Sequence, residues 1–168
     1  YFNSIFTEFA GRGITIEDLE SGEDSRARLD AGELDLANNI WWNFGAGNQP
    51  EQFIPQEFVR DALLTSGKFN EVVDPQLGGI SRTNDGGLDP RPQSGSPAIS
   101  GDLRAVPAGD DFFESVNYKG AFGPGDLWID GWTAISQLGI VTQLREGEQM
   151  LTDDFIQPGE TKTLTSDT

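Results

Sequence analysis

The sequence predicts a mainly-β fold, a right-handed parallel β-helix whose stacked coils carry one flanking helix and end in a loop-rich cap and tail. Three observations predict it. The stretch Asn38-Asn39-Ile40-Trp41-Trp42-Asn43-Phe44 repeats Asn3-Ser4-Ile5-Phe6-Thr7-Glu8-Phe9, so Asn, Ile, an aromatic residue and Phe recur at an offset of 35. A period between about 20 and 50 residues marks stacked repeats. The β-branched and aromatic content of both copies favours strands over helices. Short alternating runs lie between the copies, Gly13-Ile14-Thr15-Ile16-Glu17 and Glu33-Leu34-Asp35-Leu36-Ala37, and they point Ile14 with Ile16, and Leu34 with Leu36, to one side of an extended chain.

Stacked coils place like side chains over one another at about 4.8 Å. The expected stacks are Ile5 with Ile40, Phe6 with Trp41 and Phe9 with Phe44. Asn3 and Asn38 are expected to form a ladder of side-chain amides at a corner, satisfying backbone groups there. Successive strand residues face opposite sides, so Trp41 and Trp42 divide between core and surface. An outward indole either stacks on a sugar ring or lies under a covering loop. The polar run Ser21 to Ser25 reads as an exposed turn and Gly45 to Gln52 as a loop. One helix is expected near 55–66, with Pro55 in its first turn, Gly67 past its end, and Phe58, Val59, Ala62 and Leu63 as an apolar stripe. At Glu71-Val72-Val73 the chain returns to a strand.

Beyond this point the chain carries recognisable motifs. Asp74-Pro75-Gln76-Leu77, Leu88-Asp89-Pro90-Arg91-Pro92 and Gly95-Ser96-Pro97-Ala98-Ile99-Ser100-Gly101 are followed by Asn117-Tyr118-Lys119-Gly120-Ala121-Phe122-Gly123 and by Trp128-Ile129-Asp130-Gly131-Trp132-Thr133. Together they resemble the C-terminal region of secreted bacterial right-handed parallel β-helix proteins of the pectate-lyase-like superfold, with Asn117 where the family pattern has Asp. The resemblance implies a fold and an extracellular or cell-surface setting but no particular activity. It divides the chain into final coils over 1–101, a capping or strap segment over 102–140, and a linker or strand-exchange tail over 141–168. Ser96-Pro97-Ala98-Ile99 reads as a last short rung or strap, and Phe112 or Phe113 as the anchor of a lid. Tyr1 already stands in a strand-like run with no initiator Met before it, so the chain is expected to be part of a longer polypeptide.

Asp and Glu number 28 against 11 Lys and Arg, for a net charge of −17. Such a surface repels phosphate, which argues against nucleic acid and anionic lipid as partners. No apolar run approaches the roughly 18 residues of a membrane span. With neither Cys nor His, the chain has no thiol nucleophile, no disulfide, no Cys/His zinc site and no Ser-His-Asp triad. A bound metal would be a hard, oxygen-ligated ion such as a structural calcium. The candidate ligands are Asp85 and Asp89 in Asn84-Asp85-Gly86-Gly87-Leu88-Asp89, and the pair Asp110-Asp111. Asx-Gly turn chemistry explains the first cluster equally well. The charged residues near the early coils match neither a lyase nor a polygalacturonase arrangement, so no catalytic residue and no required cofactor is expected.

The function expected from these readings is a non-catalytic structural or adhesive module of a larger surface or filament-forming protein. It would join the rest of a longer polypeptide, or a second copy end to end, through open strand edges and residues 150–168. The competing expectation is a polysaccharide-binding or polysaccharide-degrading domain, with Trp42 and Trp128 as stacking surfaces.

Overall fold

The computed structural model describes residues 1–19, 21–107 and 113–142. The described residues divide into two compact units, the first built from 1–76 and 92–124 and the second from 77–91 and 125–142, less those outside the described ranges.

In the first unit, strand β1 (Ile5–Thr7) pairs in parallel with β2 (Ile40–Trp42), in the register Ile5 to Ile40, Phe6 to Trp41 and Thr7 to Trp42. Parallel bridges link Phe2 to Ala37 and Ile40 to Glu71. Three levels of chain therefore stack at Ile5, Ile40 and Glu71, the first two as the repeat predicts. The aromatic stacks follow, Phe6 on Trp41 at 4.3 Å between ring centroids and Phe9 on Phe44 at 5.9 Å. Asn3, Asn38 and Phe69 occupy equivalent places on the three levels and all take left-handed backbone, with φ of 54°, 58° and 52°. Glu8 and Asn43 do the same at the far end of the first two. Asn and Gly tolerate this conformation best; at Phe69 the stack imposes it.

The levels do not continue into a solenoid. Among the described residues there are two sheets of two strands each and five short helices, so the predicted right-handed parallel β-helix is overturned. Each level contributes a single strand of three residues at most, and the chain between levels is spent on helices and loops. Local chemistry dictates this. Asp24 caps α1 (Ser25–Asp30) by accepting from the Ala27 N–H at 2.8 Å. Pro50 starts α2 (Pro50–Phe53), whose Gln49 and Gln52 form a reciprocal cap, where the sequence reads only as loop. The expected helix is α3 (Glu57–Leu64), and it buries Val59 and Leu63.

The apolar side chains consequently gather against helices, not inside a tube. Ile16, Leu36, Trp41, Phe44, Phe53, Ile54, Val59 and Leu63 form the buried cluster, with Phe44 stacked on Phe53 at 4.7 Å. Trp41 is buried and Trp42 half-buried, the division that alternation requires. Gly45 lies where the levels touch: a Cβ there would sit 1.9 Å from the Ala10 carbonyl oxygen.

The amide ladder forms one residue beyond the predicted place. Asn3 and Asn38 turn outward to the strap, Asn3 exchanging two hydrogen bonds with the Arg104 backbone and Asn38 donating to the Asp102 carbonyl. The interior ladder is Asn39 on Asn70. The Asn70 Oδ1 accepts from the Asn39 N–H and Nδ2, both at 3.0 Å, and from the Trp41 indole at 3.4 Å. The Asn70 Nδ2 donates to the carbonyls of Leu36 and Leu63.

The segment read as a last short rung or a strap is a helical turn, α4 (Pro97–Ser100), capped by the buried Ser96 hydroxyl. Lys119 is fully buried beside it, with Nζ 3.2 Å from a Glu71 carboxylate oxygen. The second unit holds the sheet of β3 (Leu77–Gly79) and β4 (Asp89–Pro92) and the short helix α5 (Ala134–Gln137), and it buries Leu127, Ile129 and Val141. No helix among the described residues is long and apolar enough to cross a membrane.

Asn70→Ala leaves several inward-facing donors and acceptors unpaired. It is expected to cost about 2–4 kcal/mol, read from the urea midpoint at unchanged m-value; a loss below about 0.5 kcal/mol would show that the ladder does not hold the levels together.

Candidate functional site

The first unit has an open strand edge beside an apolar cleft. The Ser4 carbonyl accepts from the Ile40 N–H at 2.9 Å. The alternation of a parallel ladder therefore turns the N–H and C=O of Ile5 and Thr7 away from β2. Among the described residues β1 is an edge strand, and no hydrogen bond reaches these outward groups. Next to Phe6 lies a cleft of about 430 Å³, walled by Phe6, Ile14, Ile16, Leu34, Leu36 and Trp41, with Thr15, Glu17 and Ser25 at its polar margin. The pairs expected to share a side, Ile14 with Ile16 and Leu34 with Leu36, share this wall.

The wall opposite the strand is held by a side-chain amide. Gln56, at the N-terminus of α3, accepts from the Ile16 N–H at 2.8 Å and donates to the Ile16 carbonyl at 2.7 Å. One glutamine thereby reproduces a strand pairing and fixes residues 14–17 without a second strand. Asp24 closes the adjoining loop. The Leu19 and Ala27 N–H groups hydrogen-bond to its carboxylate and keep its pKa below the ordinary value.

A second cluster ties the strap to the levels. Asp35 receives Lys68 at 2.6 Å on one carboxylate oxygen and Arg104 on the other. Those two hydrogen bonds, Lys68 first, hold its pKa down to about 2. The guanidinium of Arg104 also lies 5.1 Å from the centre of the Phe2 ring.

Two of the four predicted metal ligands, Asp85 and Asp89, are already engaged. Asp85 is bound by Ser81, by the Gly87 N–H at 2.9 Å and by the Thr83 hydroxyl at 3.0 Å, and these bonds lower its pKa in that order. Asp89 takes both the Nε and an Nη of Arg91, at 2.8 and 2.9 Å, which lowers its pKa. No group of three or more acidic side chains that could hold a metal occurs among the described residues. Asp110 and Asp111 lie outside the described residues, as do Phe112 and the 150–168 tail.

Of the predicted stacking residues, Trp42 is half-buried in β2, whereas Trp128 is exposed. The more exposed indole is that of Trp132, which the sequence reading passed over although it stands in the same motif. The two rings lie 6.3 Å apart at 31°. Compared with protein-family models, with curated proteins and with solved structures, the chain matches none.

Two predictions follow from these charge pairs. A carboxylate whose folded pKa lies below its ordinary 3.8 stabilises the fold above that value, and the contribution is lost as pH falls through about 2. The shift corresponds to at most about 2.5 kcal/mol, and screening of the part-exposed Lys68 and Arg104 reduces it to about 1 kcal/mol. Asp35→Asn is therefore expected to be about 1 kcal/mol less stable than the parent at pH 7 and equally stable near pH 2. A difference independent of pH would refute the pairing.

Asp89→Ala removes the paired hydrogen bonds from a largely covered Arg91 and is expected to cost about 1–3 kcal/mol, equally in calcium and in chelator. A loss seen only in calcium would make Asp89 an ion ligand.

Proposed function

We propose that this chain is a non-catalytic structural or adhesive module at the cell surface, joining other polypeptide by adding a strand to the outer edge of β1. The observation that carries this reading is the unpaired edge of Ile5 and Thr7 beside the Phe6 cleft. An added strand would bond to those backbone groups and set one side chain over Phe6, in the cleft, giving both affinity and register. The occupant proposed is an extended segment of another chain with an apolar residue between basic ones. Its charge would complement a chain of net charge −17 and the Glu17 margin of the cleft, whereas a second copy would bring the same negative charge. The surface setting rests on the likeness of residues 74–123 to secreted proteins.

Two synthetic peptides separate the outcomes, one alternating Lys with Val and one alternating Glu with Val, each followed by fluorescence anisotropy. The Lys-Val peptide is expected to bind, more weakly in high salt, and the Glu-Val peptide is not. Thr7→Pro removes one outward donor while leaving the bonds to β2 in place, and it is expected to weaken binding at least about tenfold. Leu34→Lys, which obstructs the cleft without touching β1, should do the same. Binding untouched by both substitutions, or self-association with no peptide binding, would reject the proposal.

A further inference from the structure

The second unit presents an aromatic surface that strand addition does not use. Leu127 and Ile129 are buried, and the residue between them, Trp128, is turned out to 39% exposure. Four residues on, past Gly131 with its φ of 81°, Trp132 is 63% exposed. The pair is locked from within. The Trp132 indole N–H donates to the Trp128 carbonyl at 2.5 Å, and the Thr133 hydroxyl donates to the Ile129 carbonyl and accepts from the Ser136 N–H at the start of α5. With its one polar atom engaged internally, Trp132 offers solvent its ring.

The turn between the two indoles is acidic. The Asp130 carboxylate accepts from the Ser136 hydroxyl at 2.6 Å and from the Gly131 N–H at 2.8 Å, and the nearby Asp126 is exposed. An indole as exposed as that of Trp132 leaves apolar surface in water, and covering it is favourable.

We propose that Trp128 and Trp132 form a stacking platform for a neutral hexopyranose chain. The polarised C–H groups on the face of a pyranose complement the negative face of an indole. The ring hydroxyls are donors for which Asp126 and the remaining lone pairs of Asp130 are acceptors. The same carboxylates, in a chain of net charge −17, repel polyuronates and sulfated glycans, which narrows the ligand class to uncharged sugars. This site is independent of the β1 edge and stands or falls without it.

Isothermal titration of the full chain with cellohexaose, with mannohexaose and with oligogalacturonate tests the proposal. At least one neutral hexamer is expected to bind and oligogalacturonate is not. Trp132→Ala is expected to weaken binding about tenfold or more, Trp132→Phe to retain most of it, and Thr7→Pro to leave it unchanged. Absence of binding to both neutral hexamers, equal binding of the uronate, or indifference to Trp132→Ala would each overturn it. So would a result in which Trp132→Ala changes only the sedimentation of the protein, since the patch would then be a contact between copies.

Discussion

Five hydrogen bonds converge on the side chain of Asn70, three on its oxygen and two from its nitrogen. They connect the second level to the third, hold the Trp41 indole, and close the C-terminal end of α3 through the Leu63 carbonyl. This concentration matters because the strands are too short to fix their own register. A slip of one residue between three-residue strands would cost few ladder bonds, yet it would turn Trp41 out and Trp42 in. The amide makes that slip costly, because any other register strands its donors and acceptors away from water. The aromatic stacks, the cleft beside Phe6 and the packing of α3 all presuppose that one alignment.

Cations are scarce in this chain, and several serve as internal ties. Lys68 and Arg104 meet on Asp35, Lys119 reaches Glu71, and Arg60 reaches the Ile54 and Pro55 carbonyls. Arg26 pairs with Asp18 and lies 4.4 Å from the centre of the Phe58 ring. Lys119 is the extreme case. A buried ammonium is tolerated only with close partners, and Gly101 keeps room for it, since a Cβ there would stand 3.1 Å from Nζ and 2.8 Å from the Pro97 carbonyl oxygen. With so much positive charge turned to internal partners, the surplus of carboxylates faces solvent. That imbalance favours basic or neutral partners over acidic ones at either proposed site.

The alignment of the first two levels was legible because it is written twice, at equal spacing and in residue types that stack. The third level was hidden because its period differs: Asn70 lies 31 residues after Asn39, whereas Asn39 lies 35 after Ser4, and Glu71 has no likeness to Ile40. Reading a tube from two copies assumed that the chain between them would also be strand. The cap residue Asp24 and Pro50 at the head of α2, both visible in the sequence, pointed to helices instead. The role of Gln56 left no pattern, because a lone amide standing in for a strand has no periodicity. Trp132 could have been found by the reasoning applied to Trp42: the turn at Asp130-Gly131 places it on a surface, while Trp42 is half-buried beside Thr7 in β2.

Strand addition at the β1 edge, as proposed, would need restraints on what pairs there. The length of β1 is the first restraint. Asn3 and Glu8, both in left-handed backbone, end the extended run on each side, so an incoming strand finds outward groups on only Ile5 and Thr7. Two residues of ladder supply few hydrogen bonds, each contributing about 1 kcal/mol net, which is less than the cost of ordering a flexible segment. The rest of the affinity has to come from the side chain that enters the cleft over Phe6, where burying one large apolar group contributes about 2–3 kcal/mol. Backbone pairing without the correct side chain is therefore insufficient, and the correct side chain without an extended backbone is misplaced. Charge is the second restraint, since a copy of this chain approaching the edge carries the same negative surplus. Selectivity of the proposed strand addition would thus arise from the shortness of the strand, the shape of the cleft beside it and the sign of the surface around both.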